Sequence, residues 1–442
     1  MKRKGVRLGV FFVFTLETPT SSLSLCQNMG MSLTFEQKLG HYAGLAVNVG
    51  LGVRAGQRLI VIAPIATAPL VRLVTVRAYD AGATFVDVFW SDDAINLTRF
   101  EKAPKDSFTH YPAWEGQALL EAGQRGDPVL MIRASDPDLL KNADADSIAS
   151  AQKALRQVWK PYDELRLGDA SAWCIMVAPI PSWSAKVLPD VPESERERAM
   201  WELLFATTRA DQSDPVAAWK THLERLQTSS AALNARTFRA LKFRGPGTDL
   251  EVGLPSAHIW KSGASRTRHG VTYVANIPTE EVFTLPHRER VEGFVSSTKP
   301  LNYGGRLIEN IRVEFKAGQI VNATASTGQE TLIKLLDTDA GSRRLGEVAL
   351  VPHSSPISQS GRVFYHTLFD ENAASHIAIG KAYKDCLKNA QTMNESELEA
   401  AGVNTSLMHV DWMIGSGQVS VDGVNADGSL ESVMRDGEWT LG

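Results

Sequence analysis

Cysteine is nearly absent from this chain. Its 442 residues hold three, Cys26, Cys174 and Cys386, too few and too far apart for a disulfide framework or a thiolate zinc site. Cys174 lies in the apolar run Trp173-Cys174-Ile175-Met176-Val177 and reads as core, and such usage fits a reducing compartment, the cytoplasm. Positive charge is not in excess either. With 46 Lys and Arg against 50 Asp and Glu, the net charge is −4, and no nucleic-acid partner is expected. The apolar stretch Val10-Phe11-Phe12-Val13-Phe14 is too short to cross a bilayer, and no membrane partner is expected. Internal repeats and low-complexity tracts are missing. Neither G-x-G-x-x-G nor G-x-x-x-x-G-K-[ST] follows the first strand-like run, where Ala63-Pro64-Ile65-Ala66 stands instead. H-E-x-x-H is absent, which removes the one-zinc protease helix, and so is G-x-S-x-G, which removes the nucleophile elbow.

What is present is a globular composition, 43% hydrophobic and 22% charged, in a chain long enough for two or three domains. Residues 1–30 differ from the rest: Lys2, Arg3 and Lys4 precede the short apolar stretch, and a Thr- and Ser-rich segment follows. This imitates a secretory signal loosely, without an A-x-A cleavage pattern. We read it as a disordered extension upstream of a true start at Met29 or Met31, because Ser32 to Leu39 resembles a capped amphipathic helix. From 57 to 177, apolar β-branched runs (58–62, 84–90, 129–133 and 173–178) alternate with helical stretches near 66–80, 92–103, 114–123 and 146–160. That alternation predicts a doubly wound, largely parallel sheet over an α/β N-terminal domain, 31–235. Short strand-like segments dominate beyond 236, so 236–442 is expected to be a β-rich α+β domain.

The chemistry concentrates in that second half, which holds seven of the ten histidines. In Met408-His409-Val410-Asp411-Trp412-Met413-Ile414-Gly415, a strand would aim His409 and Asp411 to one side, a donor pair suited to a divalent metal or to a simple buried hydrogen bond. The Ala-rich segment Asn372 to Tyr383 suggests a helix with His376 and Tyr383 on one face. Asn276-Ile277-Pro278-Thr279-Glu280-Glu281 ends on paired acids. On extended chain only one of them can enter a site, and surface exposure is the plainer alternative. Glu347, after Gly346 and before an apolar run, is either exposed at a strand start or paired inside the protein. Together these acids and imidazoles match the mixed donor sets of two-metal hydrolytic sites.

These four segments, Asn276–Thr284, Gly346–Pro352, Ser375–Tyr383 and His409–Gly415, resemble the thermophilic metallo-aminopeptidase family that includes aminopeptidases T and S and PepS. The likeness runs from about Met31 to the C terminus. It implies a broad-specificity metallo-aminopeptidase acting on peptides with a free N-terminus, dependent on two divalent ions (zinc, cobalt or manganese). It also implies a homodimer. Carried over position by position, it makes Glu281, Glu347, His376, His409 and Asp411 the metal ligands and Tyr383 the active-site tyrosine. Glu347 is a candidate proton acceptor, with Glu280 as an alternative. A nucleotide-linked transferase, or a binding protein with a decayed site, are the rival readings. The missing phosphate loop speaks against the first and the six filled positions against the second.

Overall fold

Thr34 opens the first helix: its side chain accepts from Gln37 N while the Gln37 side chain accepts from Thr34 N, a reciprocal box that starts Phe35–Leu45. The computed structural model describes residues 33–441 except 135, 304 and 305. The expected extension over 1–30, with Cys26, lies outside the described residues.

Four parallel strands stand in the order Phe85–Ser91, Arg58–Pro64, Val129–Arg133, Trp173–Val177. A parallel sheet needs cover on both faces, which is why these runs are apolar almost without interruption. On one face Leu59, Val61, Leu130, Ile132 and Cys174 pack with Tyr42, Leu45, Leu70 and Val74 of helices Phe35–Leu45 and Ala68–Asp80. On the other, Ile60, Val129 and Met131 meet Leu119, Ala122 and Tyr162 of helices Ala113–Arg125 and Ala145–Leu167. The sheet is therefore doubly wound. Helices Glu193–Thr207 and Pro215–Arg236 follow it.

Beyond them the chain is antiparallel. An eight-stranded sheet runs from Gln319–Thr324 at one edge through Thr248–Gly253, Ala240–Gly245 and Ser420–Val424 to Glu438–Trp439 at the other. A five-stranded sheet has the order His409–Met413, His376–Gly380, Leu345–Leu350, Val282–Thr284, Lys261–Ser262. One face of it contributes Val348, Leu350, Ile377, Ile379 and Trp412 to a core shared with Leu241, Phe243, Leu250 and Val421 of the larger sheet. Its other face is free to carry polar groups.

The segment Asn372–Tyr383 is not the helix its alanines suggest. A short 3-10 turn, Glu371–Ala373, leads into strand His376–Gly380. Pairing on both sides and two inward isoleucines decide the conformation here, and helix propensity is too weak to resist them. The two halves of the chain meet where Ile175 pairs in parallel with Asn276: Ile175 N donates to Ala275 O at 2.8 Å and Ile277 N to Ile175 O at 3.0 Å. The segment leading to Glu281 thus continues past the carboxyl edge of the parallel sheet, the edge where open α/β folds place ligands. Among the described residues no helix is long and apolar enough to cross a membrane.

Candidate metal centre

The register of the five-stranded sheet assembles the site. Ala378 stands between Glu347 on one neighbouring strand and Asp411 on the other, and Gly380 stands opposite His409. Directly paired residues share a face, and so do residues two apart. Glu347, His376, His409 and Asp411 therefore project from one face, with the small Ala378 and Gly380 leaving room between them. Val282 pairs with Leu350, so Glu281, one residue earlier, belongs on the same face as Glu347. A register shift between Leu345 and Glu347 re-aims the latter.

The side chains converge. His376 Nε2 lies 3.1 Å from Glu281 Oε2 and 3.9 Å from Glu347 Oε1; His409 Nε2 lies 3.3 Å from Glu347 Oε2 and 3.4 Å from Asp411 Oδ1. Two trios of atoms that could hold a metal ion result, Glu281–Glu347–His376 and Glu347–His409–Asp411, and Glu347 belongs to both. His376 is 1% exposed, Glu347 4% and Glu281 9%. Each ring is held from behind: His376 Nδ1 donates to Ala374 O at 3.1 Å and His409 Nδ1 to Lys381 O at 2.7 Å. A carbonyl only accepts, so both rings turn Nε2 toward the acids, as ligand imidazoles do. Tyr383 leaves the strand after Gly380 and tilts over His409, ring centroids 4.7 Å apart. The helical pairing of His376 with Tyr383 is therefore replaced by a strand and a turn.

Charge is crowded here. Burial pushes the Glu347 carboxyl up to about 7; a hydrogen bond from His409 opposes this, and Asp411 and Glu281 add to the rise. Burial works against a charged His376, yet the hydrogen bond to Glu281 and the charges of Glu281, Asp411 and Glu347 lift it to about 10. His409 rises against its own burial because of Asp411 and Glu347, and Asp411 falls, despite burial, because of His409. Protons serve as the counter-charge among these acids. A divalent ion takes that role in a carboxylate–imidazole set, and these donors fit one.

Gly346 is part of the same construction. A Cβ there would stand 2.3 Å from Lys381 O and 2.6 Å from Gly380 O. Lys381 O is the acceptor that orients His409. Gly346→Ala is expected to destabilise the fold by about 1–3 kcal/mol and to disturb His409, read as a lower unfolding temperature together with weaker cation binding.

The family model described as thermophilic metalloprotease (M29) matches residues 35–439. This chain belongs to that family. It is 45% identical over 407 residues to "Aminopeptidase 2" of Geobacillus stearothermophilus, covering 92% of this chain and 98% of that one. It is 44% identical over 407 residues to "Aminopeptidase T" of Thermus thermophilus, covering 92% and 99%. The solved structure "Wild-type AmpT from Thermus thermophilus" superposes with a TM-score of 0.88 at 43% identity, covering 92% of this chain and all of that one.

Two features of this metalloprotease escape a reading of its motifs. Glu371, on the turn before His376, has its carboxyl raised well above the ordinary range by burial and then by Asp411 and Glu281. It is thus a fourth acid in the same field, signalled in sequence only by an acid five positions before His376. Glu280 is buried as well, but its partners are Arg209 and His222, and neither adjoins a motif.

Proposed function

We propose that this metallo-aminopeptidase removes the N-terminal residue from peptides of varied sequence, using two divalent cations held by Glu281, Glu347, His376, His409 and Asp411. The observation that carries this is the pair of donor trios sharing Glu347, one oxygen turned to each imidazole. Glu347, the one carboxylate common to both trios, would serve both cations, and Glu371 lies in the field of the same acids. Zinc, cobalt and manganese all suit mixed oxygen and nitrogen donors. The chemistry such cations would supply there is a water acidified toward a pKa of about 7 and a polarised scissile carbonyl.

The chain's own groups supply the rest. A neighbouring carboxylate or a bound cation would hold the free α-amino group of the substrate, which selects chain ends. The water's proton passes to a carboxylate. Glu280 is ill placed for this, because Arg209 occupies both its oxygens; Glu347 and Glu371 share the field of the cluster. The Tyr383 phenol stays protonated, its pKa pushed well up by the surrounding protein and then by Glu347 and Asp411. It can therefore donate to the oxyanion that forms on the carbonyl. Tyr383→Phe is expected to lower kcat by about 10²–10³-fold, the effect of one lost oxyanion donor, while elemental analysis finds the metal content unchanged.

The function itself is tested with Leu-p-nitroanilide. Chelator treatment should stop release of p-nitroaniline, and zinc, cobalt or manganese should restore it at two ions per chain. N-acetylated peptides should resist cleavage. Chelator-resistant turnover would end the proposal, and a panel of aminoacyl substrates measures the breadth of specificity. The resemblance also carries a homodimer, and the scarce cysteine a cytoplasmic location; sedimentation tests the first and fractionation the second. Division into units of 31–235 and 236–442 is tested by limited proteolysis near 236.

A further inference from the structure

Glu280 is a buried acid that the metal cluster does not use. It is 3% exposed, and its carboxylate is gripped on both oxygens by Arg209, Nη1 to Oε1 at 2.7 Å and Nη2 to Oε2 at 3.1 Å. Arg209 follows helix Glu193–Thr207 with φ at 62°, a left-handed conformation that a side-chain-bearing residue rarely adopts. Its guanidinium lies 5.6 Å from the centroid of the Trp219 ring. His222 completes the arrangement. Its Nε2 is 2.7 Å from Thr279 O, so Nε2 carries the hydrogen, and Nδ1 accepts from Arg209 Nη2 at 3.2 Å. This tautomer makes His222 a neutral bracket between the guanidinium and the backbone. On the far side, Glu280 N donates to Asn372 Oδ1 at 2.6 Å, and Asn372 adjoins Glu371.

Thr279 O, Glu280 N and both Glu280 oxygens are therefore all fixed, and the next residue is Glu281. Stability alone does not explain the arrangement. A buried ion pair seldom outperforms apolar packing, and this one is anchored by a residue in a costly backbone conformation beside a site.

We infer that Arg209, Glu280 and His222 form a clamp that presets the Glu281 carboxylate and thereby sets the affinity of the Glu281–Glu347–His376 trio for a divalent cation. They are positioning residues that act through the backbone of 279–281. The inference rests on the two-cation proposal above.

The test titrates metal-free, full-length protein with Co²⁺, following visible absorption and competition with a chelator, beside thermal unfolding. Arg209→Met should weaken Co²⁺ binding by about 10–100-fold, the range seen when groups that orient metal ligands are removed, and should lower the unfolding temperature by stranding Glu280. Arg209→Met/Glu280→Gln removes the stranded charge; it should recover the unfolding temperature but not the affinity. Arg209→Lys keeps the charge without spanning both oxygens and should weaken Co²⁺ binding by about tenfold. At saturating Co²⁺, kcat of the folded variants should return to near the wild-type value. Co²⁺ affinity unchanged in Arg209→Lys, or restored in the double variant, overturns the clamp. If wild-type protein itself fails to bind Co²⁺, the two-cation proposal falls instead.

Discussion

His376→Ala should abolish peptide hydrolysis and release a cation. The ring is 1% exposed and stands between Glu281 and Glu347, with Nδ1 tied to Ala374 O, so its Nε2 is the nitrogen donor of that trio. Removing it leaves two acids of one trio facing each other without a base. If one cation's share of the reaction is several kcal/mol, its loss costs kcat/KM about 10³-fold or more. Elemental analysis should find the bound metal reduced from two ions per chain to one. The metal-free variant should also be less stable near neutral pH. The raised pKa of His376 means its protonated ring supports the metal-free fold fully below about 6.5, its unfolded value. That support fades as pH rises through about 10, and the variant lacks it at every pH. Two ions per chain with kcat/KM within tenfold of wild type would show that His376 is not a ligand.

Much of this architecture was legible because two periodicities left plain marks. The two central parallel strands are apolar on both faces, since helices cover both, so Arg58–Pro64 and Val129–Arg133 stand out as short apolar runs. A period of two also separates Glu280 from Glu281. Neighbours on extended chain face opposite ways, and only Glu281 joins the cluster while its neighbour meets Arg209. The same rule aligns His409 with Asp411, across one intervening valine.

Where the reading of the sequence departs from the fold, the cause is tertiary. Ala373, Ala374 and Ala378 look like helix formers, yet Ala378 is small because Glu347 and Asp411 flank it on the neighbouring strands. Its neighbours Ile377 and Ile379 carry the strand signal, but two residues are too few to outweigh the alanines without knowledge of their partners. Burial of Glu347 was equally hidden, because a lone acid at the start of an apolar run is ordinarily at the surface. Arg209 lies 71 positions from Glu280, and no local pattern links them. Groups recruited by packing leave no periodic trace, and both Arg209 and Glu371 belong to that class.

Glu347→Gln should be the most damaging conservative change in the chain. Every other acid of the pair of trios serves one of them, whereas Glu347 serves both, so on the two-cation proposal an amide in its place would weaken both ions at once. An amide offers a single neutral acceptor oxygen where the carboxylate offers two charged ones. We expect at most one tightly held ion and a fall in kcat of about 10³-fold or more. The pH dependence of binding adds an independent readout. With Glu347 titrating at about 7 in the metal-free protein, a cation must displace a proton below that pH. Protonation of Glu347 should therefore lower wild-type affinity by roughly fivefold as pH falls from 7 to 6, on top of the proton that His376 gives up across this range, and the glutamine variant should lose the Glu347 contribution to the slope. Glu371→Gln separates the remaining roles. If it keeps both ions but loses turnover, Glu371 takes the water's proton, and Glu347 is confined to binding. If Glu347→Gln instead retains two ions with wild-type affinity, Glu347 does not bridge them, and the shared-carboxylate arrangement must be abandoned.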